Sequence, residues 1–61
     1  MSVVVGDYVR IVRGDQAGTW GVVPFVGDGY VVVWICGPYP YCGAAAYALV
    51  EDLEHVDFGP G

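Results

Sequence analysis

Glycine breaks the first two-thirds of this chain into short runs, and the runs between the breaks are β-branched and aromatic. Tyr8-Val9-Arg10-Ile11-Val12-Arg13 follows Gly6-Asp7, with Val9 and Ile11 on one face, Arg10 on the other and Arg13 at the outward end. A period of two marks a half-buried strand. Gly14-Asp15-Gln16-Ala17-Gly18 then reads as a turn with glycine at positive φ. A second strand runs from Thr19 to Val26, and Pro24, which has no N–H for a ladder, belongs at a bulge or a sheet edge.

Gly27-Asp28-Gly29 separates that run from Tyr30-Val31-Val32-Val33-Trp34-Ile35, and Asp-Gly between β-rich runs is a strong hairpin signal. The third strand points Val31, Val33 and Ile35 inward and Tyr30, Val32 and Trp34 to the opposite face, which is then unusually oily. Two prolines and two glycines within Cys36–Gly43 make that segment a loop. Ala44 to Leu49 is too short to stand alone as a helix and follows a hairpin-like loop, so it reads as a fourth strand. Glu51-Asp52-Leu53 is a single helical turn and Glu54-His55-Val56 a closing strand. Five short strands with no repeat and no linker fit a small closed or partly open barrel, which protects its edges by pairing them.

A chain of 61 residues makes one domain, 1–61, with 57–61 a short tail, and at this size it buries only about 60% of its unfolded surface. Yet 56% of its residues are apolar and its mean hydropathy is +0.53. The surplus predicts an exposed apolar patch, the mark of an interaction site, and hence burial against a second copy or another protein. Two arginines, no lysine and seven acids give a net charge of −5. Phosphate contacts by Lys and Arg supply most non-specific nucleic-acid affinity, so nucleic acid is an unfavoured partner. The absence of Lys and Asn beside abundant Gly, Ala, Val and Asp suggests a high-GC genome, cellular or viral. Met1 to Val5 has no cationic start, and no apolar run approaches the roughly 18 residues that span a bilayer. The expectation is no membrane and a cytoplasmic place, or one within a viral assembly.

The stretch from Gly6-Asp7 through the alternating strand, Gly14, the short turn, Gly18, Gly21 and Val22-Val23 resembles a KOW motif. The resemblance is closest over residues 6–23. It implies an SH3-like small β-barrel, here five-stranded with one helical turn near its C-terminus. Leu53-Glu54-His55-Val56 is similar to the end of many such barrels. KOW domains contact RNA or RNA polymerase, commonly through basic residues between the first two strands. Here those positions are Asp15, Gln16 and Thr19, which departs from the pattern where phosphate would be touched. The resemblance therefore implies, as the alternative function, a nucleic-acid, ribosome or polymerase-associated module using Arg10, Arg13 and Trp20. Tyr8, Trp20 and the Tyr-Pro loop also invite comparison with an SH3-like groove for a proline-rich peptide.

Cys36 and Cys42 flank that loop, either as a staple, which suits small domains, or as free thiols packed like small hydrophobes. A zinc site with His55 would lack a fourth strong ligand and the usual spacing, so no metal or other cofactor is expected. His55 sits among Glu51, Asp52, Glu54 and Asp57, with no nucleophile to activate, and no acid–base pair can be assembled from the remaining residues. The chain is expected not to be an enzyme. Tyr and Trp dominate interface hot spots. Tyr30, Val32 and Trp34 on the third strand, with Tyr39 and Tyr41 in the loop, are the expected contacts of a protein–protein interaction or assembly module, as a homo-oligomer or a small subunit.

Overall fold

The computed structural model describes residues 2–39 and 42–56. Five strands, β1 (Tyr8–Ile11), β2 (Trp20–Val26), β3 (Val31–Gly37), β4 (Ala45–Ala48) and β5 (Leu53–His55), with one 3-10 turn (Val50–Asp52), form a single antiparallel sheet of order β4-β3-β2-β1-β5. The protein is all-β, as the alternating runs predict. β4 and β5 stand at the two ends of the sheet, and no ladder joins them among the described residues.

One face of the sheet carries the core. Val9 and Ile11 from β1, Val23 from β2, Val31, Val33 and Ile35 from β3, Ala46 from β4 and Leu53 from β5 are buried together, joined by Val3 from the segment before β1. Val3 is held there by a local turn: the Asp7 N–H donates to the Val4 carbonyl, the Val4 N–H to the Asp7 carboxylate, and the Gly6 N–H to Val23. The ladder that joins Val9 of β1 to His55 of β5 ties the two ends of the described chain together, so strand pairing across long stretches of sequence, not local structure, holds the fold.

Three glycines are required by geometry. A Cβ at Gly21 would lie 1.9 Å from the Trp34 carbonyl oxygen, so only glycine lets β2 approach β3 at that point. Gly14 and Gly18 both have positive φ, at 93° and 94°, and close the β1–β2 turn. The ladder between β2 and β3 shifts between Val22 and Phe25, which is where Pro24 lies, and again between Trp20 and Gly21.

Several boundaries differ from those expected. β1 stops at Ile11: the Val12 N–H still donates to the Asp52 carbonyl in register, but Asp52 belongs to the 3-10 turn, so the ladder ends there and Val12 and Arg13 are not strand. Tyr30 precedes β3 and belongs to the hairpin turn, its carbonyl accepting from the Gly27 N–H at 2.9 Å. Cys36 and Gly37, expected in the loop, continue β3, because Gly37 still pairs with Trp20 before Pro38 ends the strand. Leu53, expected in the helical turn, opens β5 opposite Ile11. The expected tail, 57–61, lies outside the described residues.

Candidate functional site

The sheet face opposite the core carries the candidate site, and the strand registers build it. Val32 of β3 stands opposite Phe25 of β2 on one side and Tyr47 of β4 on the other. Two residues on, Trp34 stands between Val22 and Ala45. Opposed residues in an antiparallel ladder share a face, so these two rows stack into one apolar surface. Tyr30 joins it from the turn. Its ring lies over Gly27, tilted against Phe25 at 6.1 Å between centroids and edge-on to Tyr47 at 5.7 Å. Such geometries suit aromatic pairs, which add about 0.5–1.5 kcal/mol beyond area burial.

This surface is in water. Phe25 is 51% exposed, Tyr30 38%, Trp34 50% and Tyr47 79%. Taking 150–250 Å² for each ring, the four leave roughly 400 Å² of aromatic surface uncovered, within the range that marks functional patches on small proteins. Charge is missing here for a reason in the sequence: no charged residue occurs from Gly29 to Val50, the span that supplies β3, its loop and β4.

Of the expected contact residues, the fold brings Tyr30, Val32 and Trp34 together. Tyr39 is 89% exposed beyond the end of β3, and Tyr41 lies outside the described residues. Phe25 and Tyr47 complete the surface and were not among the expected contacts. Their parity relative to Val32 is set by the irregular register around Pro24 and by the pairing of β4, neither of which is written in one strand alone.

The basic residues have a different setting. Arg10 faces Trp20 on β2 and Glu54 on β5, and its guanidinium meets the Glu54 carboxylate at 3.2 Å. Arg13 pairs with Asp52 at 3.1 Å and also donates to the Glu51 carbonyl. The Trp20 indole covers Gly37, where a Cβ would lie 2.6 Å from its Cζ2. Thr19, in the loop that would face RNA, is buried and donates its hydroxyl to the Gln16 carbonyl. The fold thus brings Arg10 and Trp20 side by side, but it answers each arginine with a carboxylate.

The polar groups elsewhere are structural in their contacts. His55 Nε2 lies 3.1 Å from Asp7 Oδ2, the oxygen that also accepts from the Val4 N–H. That N–H first, and the His55 ring second, hold the Asp7 carboxyl below its ordinary value. Cys36 and Cys42 are both free thiols, with the Cys42 thiol donating to the Cys36 carbonyl at 2.8 Å. No group of three or more His, Cys, Asp or Glu is arranged to hold a metal ion among the described residues. No helix among them is long and apolar enough to cross a membrane.

Compared with protein families, with curated proteins and with solved structures, the chain has no significant match in any of the three.

Proposed function

We propose that this chain is a non-catalytic protein–protein interaction or assembly module, and that its sheet coils into a small SH3-like barrel of the KOW type that presents Phe25, Tyr30, Val32, Trp34 and Tyr47 to a partner. The carrying observation is the uncharged aromatic face, exposed on a chain whose arginines are each paired with an acid. A phosphate backbone needs free cations. A protein partner needs buried aromatic anchors instead. The coiling is supported by a cavity of about 330 Å³ lined by both Ile11 and Arg13–Gln16 at the end of β1 and Ala46–Ala48 of β4, which puts the first and fourth strands around one space.

An apolar fluorescent dye and an RNA gel shift, both on dilute protein at low salt, test the reading. Dye fluorescence should rise with the wild type and fall at least about threefold with Trp34→Ser, and no shift of single-stranded RNA should occur. RNA retention that disappears on replacing Arg10 and Arg13 would favour the nucleic-acid alternative. A wild type that leaves the dye dark would remove the docking face.

A further inference from the structure

The two edges of the sheet are finished differently, and the difference identifies an occupant. Exposed edges invite pairing with another chain, and proteins guard them with charge, proline or cover. β5 is guarded: Glu54 and His55 lie on it and Glu51 and Asp52 precede it. β4, Ala45-Ala46-Tyr47-Ala48, has no charge and no proline.

The direction of its backbone groups follows from the ladder. The Ile35 N–H donates to the Ala44 carbonyl at 2.8 Å, which makes that opposition a hydrogen-bonded pair. Hydrogen-bonded and non-hydrogen-bonded pairs alternate in an antiparallel ladder, and the β3–β4 register is unbroken from Val31↔Ala48 to Trp34↔Ala45. Ala46 and Ala48 therefore spend their N–H and C=O on β3, while Ala45 and Tyr47 turn theirs outward. Both outward residues are exposed, and the edge borders the open cavity already described rather than packed side chains. Of the charged residues lining that cavity, Arg13 and Asp52 are paired with each other and Asp15 is the third.

We propose that β4 is completed by β4 of a second copy of this chain, antiparallel about a two-fold axis at Ala46, so that Ala45 of each copy exchanges both backbone hydrogen bonds with Tyr47 of the other. This inference rests on the docking reading above and names a partner for the strand edge beside that face.

The register is self-complementary. Opposed side chains share a face, so each Tyr47 ring lies over the small Ala45 of the other copy, beside Trp34, and the two aromatic faces become continuous. Edge pairing buries the outward backbone groups of β4 and the Tyr47 ring, which is 79% exposed in the single copy, so the contact rests on ladder hydrogen bonds and Tyr47 packing while Phe25, Tyr30 and Trp34 stay on the continuous outer face. Each copy carries −5, and of the acids beside the β4 edge Asp52 is paired with Arg13, which leaves Asp15 as the charge that opposes the pairing and that added salt relieves. At physiological ionic strength charges separated by more than about 8 Å are largely screened.

Sedimentation of the full chain over a concentration series, with hydrogen exchange, tests this. The wild type should dimerise, and the Ala45 and Tyr47 amides should slow with concentration while those of Ala46 and Ala48 are slow throughout. Ala45→Pro removes an outward N–H that the fold does not use and should weaken the dimer at least 100-fold while leaving a folded monomer. Tyr47→Lys, which keeps every backbone group, should weaken it at least tenfold. A dimer indifferent to Ala45→Pro but broken by Trp34→Ser would overturn the edge pairing. A monomer at high concentration that binds the apolar dye would overturn the second copy and leave the docking reading standing. A monomer that does not bind it would sink both.

Discussion

The half of the sheet made by β1 and β5 and the half made by β3 and β4 are built on the same antiparallel pattern and end in opposite chemistry. In the first, Arg10 meets Glu54 across the ladder and Arg13 meets Asp52 beyond its end. In the second, Trp34 meets Ala45 and Val32 meets Tyr47 with no charge between Gly29 and Val50. Surface ion pairs contribute only about 0–1 kcal/mol each, so the charged half gains little stability from them. What they supply is an edge that repels another strand. An uncharged edge beside exposed rings is a liability in an isolated monomer and a resource in a complex. On the proposed reading the charged half opposes association and the uncharged half supports it.

The two halves meet at the seam between β2 and β3, and breaking the seam should have the largest effect. Gly21→Ala sets a Cβ against the Trp34 carbonyl, a backbone atom that cannot swing aside as a side chain would. Overpacking of this kind costs about 1–3 kcal/mol and occasionally more, and backbone contact puts this site at about 3 kcal/mol or above. Urea unfolding measures it. A change below about 0.5 kcal/mol would show that the close approach of the two strands is not needed.

Neighbouring residues on β3 sharpen the contrast between its faces. Val33 is fully buried and Trp34 half exposed, so Val33→Ala should lower stability by about 2 kcal/mol, as loss of buried methyl groups does. In the same unfolding experiment Trp34→Ser should cost less than about 1 kcal/mol, although it removes far more apolar surface. Its effect should fall on association instead. Equal costs would mean that Trp34 belongs to the core and that the outer face is not a docking surface.

The inner face was legible in the sequence because it depends on parity alone: Val9, Ile11, Val31, Val33 and Ile35 turn inward wherever the strands pair. The Asp28-Gly29 turn and the fourth strand were legible from turn chemistry and run length. The completed outer surface was not, because Phe25 reaches Val32 only through the shifted register around Pro24. Nor was the fate of the arginines, since Arg10 and Glu54 become partners only when β5 returns beside β1. Val3 escaped notice because a turn stabilised by the Asp7 side chain, rather than any strand period, brings it to the core.

On the charged side, Arg13→Gln breaks the contact with Asp52 and should lower stability by about 0.5 kcal/mol at low ionic strength. Half a molar salt should erase most of that difference by screening. A drop of several kcal/mol would mean that the ion pair carries the fold and that the two halves do not divide the work as their chemistry suggests.

The smallest effect should come from Asp7, where the same half holds the start of the chain to its last strand. The Val4 N–H and the His55 ring favour the ionised carboxylate in the folded protein, so its folded pKa lies below its unfolded one. A depressed carboxylate pKa gives stability that is fully present above the unfolded value and is lost as pH falls through the folded value. Urea midpoints followed downward from pH 5.5 through the acid range should fall for the wild type. Asp7→Asn has no such proton to bind, so its midpoint should start lower at pH 5.5 and the gap should narrow as the wild type loses the contribution of its carboxylate. Association through β4 should not follow this titration, since neither Asp7 nor His55 lies on that edge. If the gap instead widened on acidification, Asp7 would have to be stabilised in its protonated form, and the latch between Val4 and His55 would be wrong.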